Sequence, residues 1–120
     1  MDSTITVKQL KGDVQKFCGE RDLDQYHSAK DLGIGIITES SELLENFRFK
    51  SENEEQKLFD EASKREEISE ELADILFFIM RFAQKYDIDL SCALEKKLEK
   101  NHRRYPIEKS KGSNRKYTEL

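Results

Sequence analysis

Apolar residues recur at steps of three and four along most of this 120-residue chain, and a single proline, Pro106, interrupts the pattern. That spacing puts them on one face of a 3.6-residue helix and does not suit the two-residue alternation of a half-buried strand. It predicts an all-α fold built on four main helices. The first covers residues 6–20, carried by Val7, Leu10, Val14 and Phe17. The second covers residues 28–49 with Ser28 as N-cap, and it contains Gly33 and Gly35, each costing about 1 kcal/mol against alanine. Two glycines inside a helix imply a close backbone approach or a later helix start. The third, residues 66–86, is the most apolar, and a fourth runs from a cap at Asp89 to about Arg104 before Pro106 ends it. Residues 50–65 are highly charged and read as a connector holding at most a short helix. The expected organisation is a helical domain over residues 1–106 followed by a polar, basic tail over 107–120, whose composition suits a draped segment.

Hydrophobic residues make up 36% of the chain and charged residues 38%, a lean supply of core for a lone monomer. The expectation is therefore helices that finish their burial against another copy of the chain. A net charge of −4 argues against nucleic acid as partner. Cys18 and Cys92 form neither a disulfide framework nor a zinc motif and fit a reducing compartment. No apolar run suits a membrane span or a signal peptide, so a soluble cytoplasmic protein with no membrane partner is expected.

The stretch ITESSELLENF, residues 37–47, places Glu39, Glu42 and Glu45 three residues apart among Leu43, Leu44 and Phe47. On a helical wheel Glu39 falls roughly 20° outside the apolar arc of Leu32, Ile36, Leu43 and Phe47, with Glu42 further along the same border. The third helix repeats the arrangement in EELADILFFIM. Glu71 projects inside the stripe formed by Ile68, Leu72, Ile75, Ile79 and Ala83 and widened by Phe78 and Phe82, and Asp74 lies at its edge. A single ExxE is ordinarily a solvated face. Two such pairs on the apolar borders of neighbouring helices are different, because burying bare carboxylates costs several kcal/mol apiece unless they protonate or meet a cation. Facing each other, Glu39, Glu42, Glu71 and Asp74 would form an all-oxygen cage suited to Mg²⁺ or Mn²⁺. The chain has no Glu-x-x-His pattern of the kind that holds two irons in a carboxylate bundle.

ESSELLENF followed by EELADIL resembles the ExxE…ExxD signature of the MazG-like nucleotide pyrophosphohydrolases, most closely the dCTP-pyrophosphatase branch. ERDLDQYHSAKDL, DIDLSCALEKKLEKNHRRYP and EKSKGSNRKYTEL resemble further segments of that branch, in the same order along residues 7–119. The resemblance implies Mg²⁺-dependent hydrolysis of a nucleoside triphosphate to the monophosphate and pyrophosphate by a homodimer or homotetramer. It implies Glu39, Glu42, Glu71 and Asp74 as metal ligands. It implies His27 in the base pocket and Lys97, Asn101 and Tyr105 as substrate contacts, and Arg104 shares the face of these last three. It further implies that the tail folds over a site, its own or a neighbouring subunit's. Glu39 or Glu42 is the candidate general base. The chain departs from the branch where Leu23 and Phe49 replace tryptophans and Phe78 replaces tyrosine. Phe49 keeps a ring for stacking and Leu23 does not. Two competing functions belong to other classes: a helical interaction module whose acidic pairs form salt bridges, and a nucleotide or metal sensor with slow turnover.

Overall fold

The computed structural model describes all of residues 1–120 and contains helices but no strand. Six α-helices are formed: α1 (Val7–Glu20), α2 (Ala29–Glu45), α3 (Glu52–Leu58), α4 (Ala62–Lys85), α5 (Leu90–Arg104) and α6 (Ile107–Ser110). Short 3₁₀ turns occupy Asp24–Tyr26 and Tyr117–Glu119. The four long helices are those expected from the apolar spacing. The charged connector carries α3, and α4 begins four residues earlier than its apolar period suggests.

Local chemistry sets these boundaries. Thr6, Ser28 and Ser51 each accept a hydrogen bond from the backbone N–H three residues on, and Gln9, Asp31 and Glu54 return it, which makes a capping box at α1, α2 and α3. Asp89 caps α5 through the Cys92 N–H at 2.8 Å. At its other end α2 stops at Glu45, short of the expected residue 49. The Asn46 amide donates to the Glu42 and Leu43 carbonyls, at 3.3 and 3.2 Å, satisfying acceptors that a further turn would have used. Phe49 then takes φ 63°, an uncommon conformation for a residue with a side chain, and reverses the chain.

The chain forms two compact units, Met1–Asp87 and Ile88–Leu120. In the first, α2 and α1 pack on α4. Cys18, Leu32, Ile68, Met80 and Ala83 are buried there, together with one charged residue, Arg81. The packing is closest at Gly35, where a Cβ would sit 2.7 Å from the Phe78 ring. At Gly33 a Cβ would meet nothing within 4 Å. The two glycines therefore predict opposite responses. Gly33→Ala should be neutral or stabilising by up to about 1 kcal/mol through helix propensity. Gly35→Ala should be destabilised by overpacking, by roughly 1–3 kcal/mol before that propensity gain is subtracted. Urea denaturation of the two variants side by side checks this, and equal midpoints would refute it.

Several apolar positions face solvent. Leu72, assigned above to the buried stripe of α4, is exposed along with Leu76, and so are Ile34, Ile37 and Leu44 on α2. The stripe of α4 is wider than the surface that α1 and α2 cover. In the second unit, Tyr117 meets Tyr105 edge-on at 5.9 Å and lies under the Arg104 guanidinium at 4.5 Å. These contacts tie the C-terminal residues to the end of α5, so the tail is ordered against its own unit. No helix is long and apolar enough to cross a membrane.

Candidate metal centre

Helix α2 presents Glu39 and Glu42 one turn apart, and α4 presents Glu71 across from them. Each of the three offers a carboxylate oxygen, and these oxygens lie within 4.8 Å of one another. Glu39 and Glu71 are half-buried, and each has an Oε2 atom shut off from solvent with no hydrogen-bond partner. A buried carboxylate oxygen with neither donor nor cation is costly, and three carboxylates in this space repel one another.

The repulsion is visible in their proton affinity. Glu39 is pushed up from 4.5 to about 7, first by the hydrogen-bonded Glu42 carboxyl, then by burial, then by the charges of Glu42, Asp74 and Glu71. Glu71 is raised by burial and next by Glu42. Without a cation Glu39 holds its proton up to near neutrality, so a cation and that proton compete for the site. The donors are all hard oxygens, partly buried and unsatisfied, which fits a Mg²⁺ or Mn²⁺ site. Asp74, expected as the fourth ligand, is exposed and stands outside the close trio, adding its charge from the margin.

A pH-dependent consequence follows. A carboxyl whose folded pKa is raised favours the fold below its unfolded value and loses that contribution as pH climbs through the folded value. Metal-free protein should therefore give up stability between about pH 4.5 and 7 because of Glu39, and Glu71 contributes in the same direction. The rise in melting temperature on adding Mg²⁺ should be small at pH 5, grow toward pH 7 and level off above it. Melting curves with Mg²⁺ and with EDTA across this range check the point, and a constant increment would contradict it.

A cleft of about 470 Å³ opens beside the trio, with Glu42 and Glu71 on its wall together with Asn46, Lys50 and Lys64. The two lysines were not singled out in the sequence, because charged connectors and first helical turns are ordinarily solvated. Phe49, expected to stack on a base, is 90% exposed, with the Arg48 guanidinium 4.7 Å from its ring centre. Phe78 is half-buried against Gly35 and edge-on to Phe77 at 5.4 Å, so its ring also serves the α2–α4 packing.

His27 belongs to a different constellation in the same unit. Arg81, only 2% exposed, donates from Nε to His27 Nδ1 at 3.0 Å and from Nη1 to Gln84 Oε1 at 2.7 Å, and its Nη2 pairs with the Asp24 carboxylate. Lys85 donates to the backbone carbonyls of Asp24, at 3.0 Å, and of His27. A guanidinium only donates, so Nδ1 must be the acceptor and the imidazole proton sits on Nε2. Burial, and then the charges of Arg81 and Lys85, lower the His27 pKa and keep the ring neutral. The Arg81 hydrogen bond and charge hold Asp24 below its usual range. Nothing in the spacing of α4 marks Arg81 as a core residue. Lys97, Asn101, Arg104 and Tyr105 lie in the second unit, on α5 and at its C-cap.

With this geometry in place, the comparisons with known proteins decide the family. The MazG-like family profile matches residues 34–120, the segment that contains all four acids. The chain belongs to the MazG-like family. It is 33% identical over 115 residues to dCTP pyrophosphatase 1 of Rattus norvegicus and of Homo sapiens, covering 96% of this chain and 68% of each relative. To the Bos taurus protein of the same name it is 34% identical over 118 residues, covering 98% and 70%. A solved pyrophosphatase structure from Archaeoglobus fulgidus superposes with a TM-score of 0.77 at 32% identity, covering 82% of this chain and 91% of that one. MazG-like membership and these relatives place the chain among the nucleotide pyrophosphohydrolases.

Proposed function

We propose that this MazG-like chain hydrolyses a nucleoside or deoxynucleoside triphosphate to the monophosphate and pyrophosphate, dCTP or a modified pyrimidine nucleotide being favoured, with Mg²⁺ as cofactor. The observation that carries this reading is the carboxylate trio with two buried, unpartnered oxygens. The substrate class is supported by the relatives named dCTP pyrophosphatase 1. Glu39, Glu42 and Glu71 would hold the metal, with Asp74 joining them by a side-chain rotation. When bound, Mg²⁺ (or Mn²⁺) neutralises phosphate charge and acidifies the attacking water.

The chain's own residues do the rest. A carboxylate of the Glu39–Glu42 pair accepts the proton of the water that attacks the α-phosphorus. His27, fixed as an Nε2–H donor, is suited to an acceptor edge of a base, and the exposed Phe49 ring and the Phe78 ring supply apolar surface to it. Lys97, Asn101, Arg104 and Tyr105 add polar contacts to the substrate. The exposed Ile34, Ile37, Leu44, Leu72 and Leu76 support burial against a second copy, giving a homodimer or homotetramer. The test is pyrophosphate release from a panel of canonical and base-modified nucleoside triphosphates, with Mg²⁺ and with EDTA. Release that is abolished by EDTA and strongest for pyrimidines is expected. No release from any substrate would overturn the reading.

A further inference from the structure

The cleft beside the carboxylate trio brings two kinds of unmet charge together. Glu42 and Glu71 of the trio line it, and the trio includes the Glu39 and Glu71 oxygens that lack any partner. Lys50 and Lys64 line the same cleft. If these lysines served to neutralise the trio they would be paired with it, and they are not. The Lys50 ammonium makes no hydrogen bond or ion pair, and Lys64 bonds instead to Glu67 at 3.1 Å. That pair is solvent-exposed at both ends, and exposed pairs are weak, so a multiply charged anion can take the place of the Glu67 carboxylate on Lys64. Glu45, also on the cleft, is taken up by Arg48 at 3.3 Å. The cleft thus holds residues that call for a cation and residues that call for an anion. A metal–polyphosphate complex supplies both.

Local structure holds the lysines where they are. Asn46 ends α2 by bonding its last carbonyls, Phe49 turns the chain at φ 63°, and the Lys50 N–H closes the turn on the Phe47 carbonyl at 3.2 Å. Lys64 lies in the first turn of α4, seven residues before Glu71 in sequence, a separation of about 10 Å along the helix axis. Lys64 is therefore offset from Glu71 along α4, not superimposed on it.

We propose that Lys50 and Lys64 grip the terminal two phosphates of the substrate, the part that departs as pyrophosphate, while the carboxylate trio serves the α-phosphorus. The proposal rests on the pyrophosphohydrolase reading of the site. In the step it describes, a water oxygen bonds to the α-phosphorus and the α–β bridging bond breaks. The bridging oxygen leaves with its electron pair on pyrophosphate. One water proton passes to a carboxylate and the other stays on the new phosphate oxygen until solvent removes it. The lysines hold the leaving group in line and offset the charge it gains.

The experiment compares wild type with K50Q, K64Q and the double variant, using inorganic pyrophosphate with Mg²⁺ as competitor. Both side chains reach solvent, so glutamine leaves the fold intact, as melting curves will verify. Charge-assisted contacts of this kind are each worth roughly tenfold or more. The inhibition constant of pyrophosphate and the KM of the triphosphate should rise by that factor in each single variant and further in the double. Inhibition by the nucleoside monophosphate product, which lacks the terminal phosphates, should stay unchanged. A double variant that hydrolyses substrate and is inhibited by pyrophosphate as wild type is would refute the lysine assignment and leave the enzyme reading standing. If wild type releases no pyrophosphate from any triphosphate, the enzyme reading fails. Calorimetric binding of Mg²⁺–pyrophosphate then judges the lysines alone, and equal binding by wild type and double variant rejects them.

Discussion

Replacing Glu71 with glutamine is expected to reduce Mg²⁺-dependent hydrolysis by roughly 100-fold or more, since even outer-shell changes at metal sites cost about 10–100-fold. The same change should leave the metal-free protein as stable as wild type, or more so. Glutamine keeps the shape of the side chain on α4 and offers an N–H to the Glu42 carboxylate. It also removes one of the like charges that, with burial, push Glu39 up to about 7. The two readouts move in opposite directions, which separates a lost ligand from a damaged fold. Turnover and an EDTA-treated melting curve on one preparation check both. A variant that turns over at the wild-type rate would remove the carboxylate trio from the chemistry. A variant that is inactive and also melts well below wild type would show that Glu71 is a packing residue.

The acids could be found in the sequence because a helix converts spacing directly into direction. Glu39 and Glu42 border the apolar face of α2 at any register in which Leu32 is buried, and Glu71 follows from the same logic on α4. That the two pairs meet is a tertiary fact, and the wheel could only suggest it. It brought in Asp74 as an equal member, whereas the structure leaves that side chain exposed at the margin. The ends of elements were less legible. The spacing extends α2 to Phe49, but a single amide, Asn46, competes for the last carbonyls and the helix stops at Glu45. Leu72 followed the apolar period and is still exposed, because periodicity identifies an apolar face without saying what covers it. Lys50 and Lys64 carried no signal. Their importance comes from a cleft shaped by α2, α3 and α4 together.

Arg81 was the least legible residue of all, and it carries the second large prediction. Sequence position puts an arginine one step before Phe82 on the most apolar helix, where a long basic side chain would ordinarily run its stem along the surface and keep its head in water. Instead the whole side chain is buried, with its donors spent on His27, Gln84 and Asp24, residues drawn from the 24–27 turn and from α4 itself. Arg81→Ala empties a large volume and leaves the imidazole Nδ1 and the Gln84 carbonyl without a donor, so a loss of about 3–5 kcal/mol is expected from cavity and lost pairing together. Arg81→Met should recover the part due to volume, and Arg81→Lys should recover little, since one ammonium cannot reach three acceptors set out for a planar fork. Guanidinium denaturation of the three variants ranks the contributions. If Arg81→Met proved as stable as wild type, the hydrogen-bonded tie to His27 would contribute nothing net, and the 24–27 turn would be held by Lys85 and packing alone.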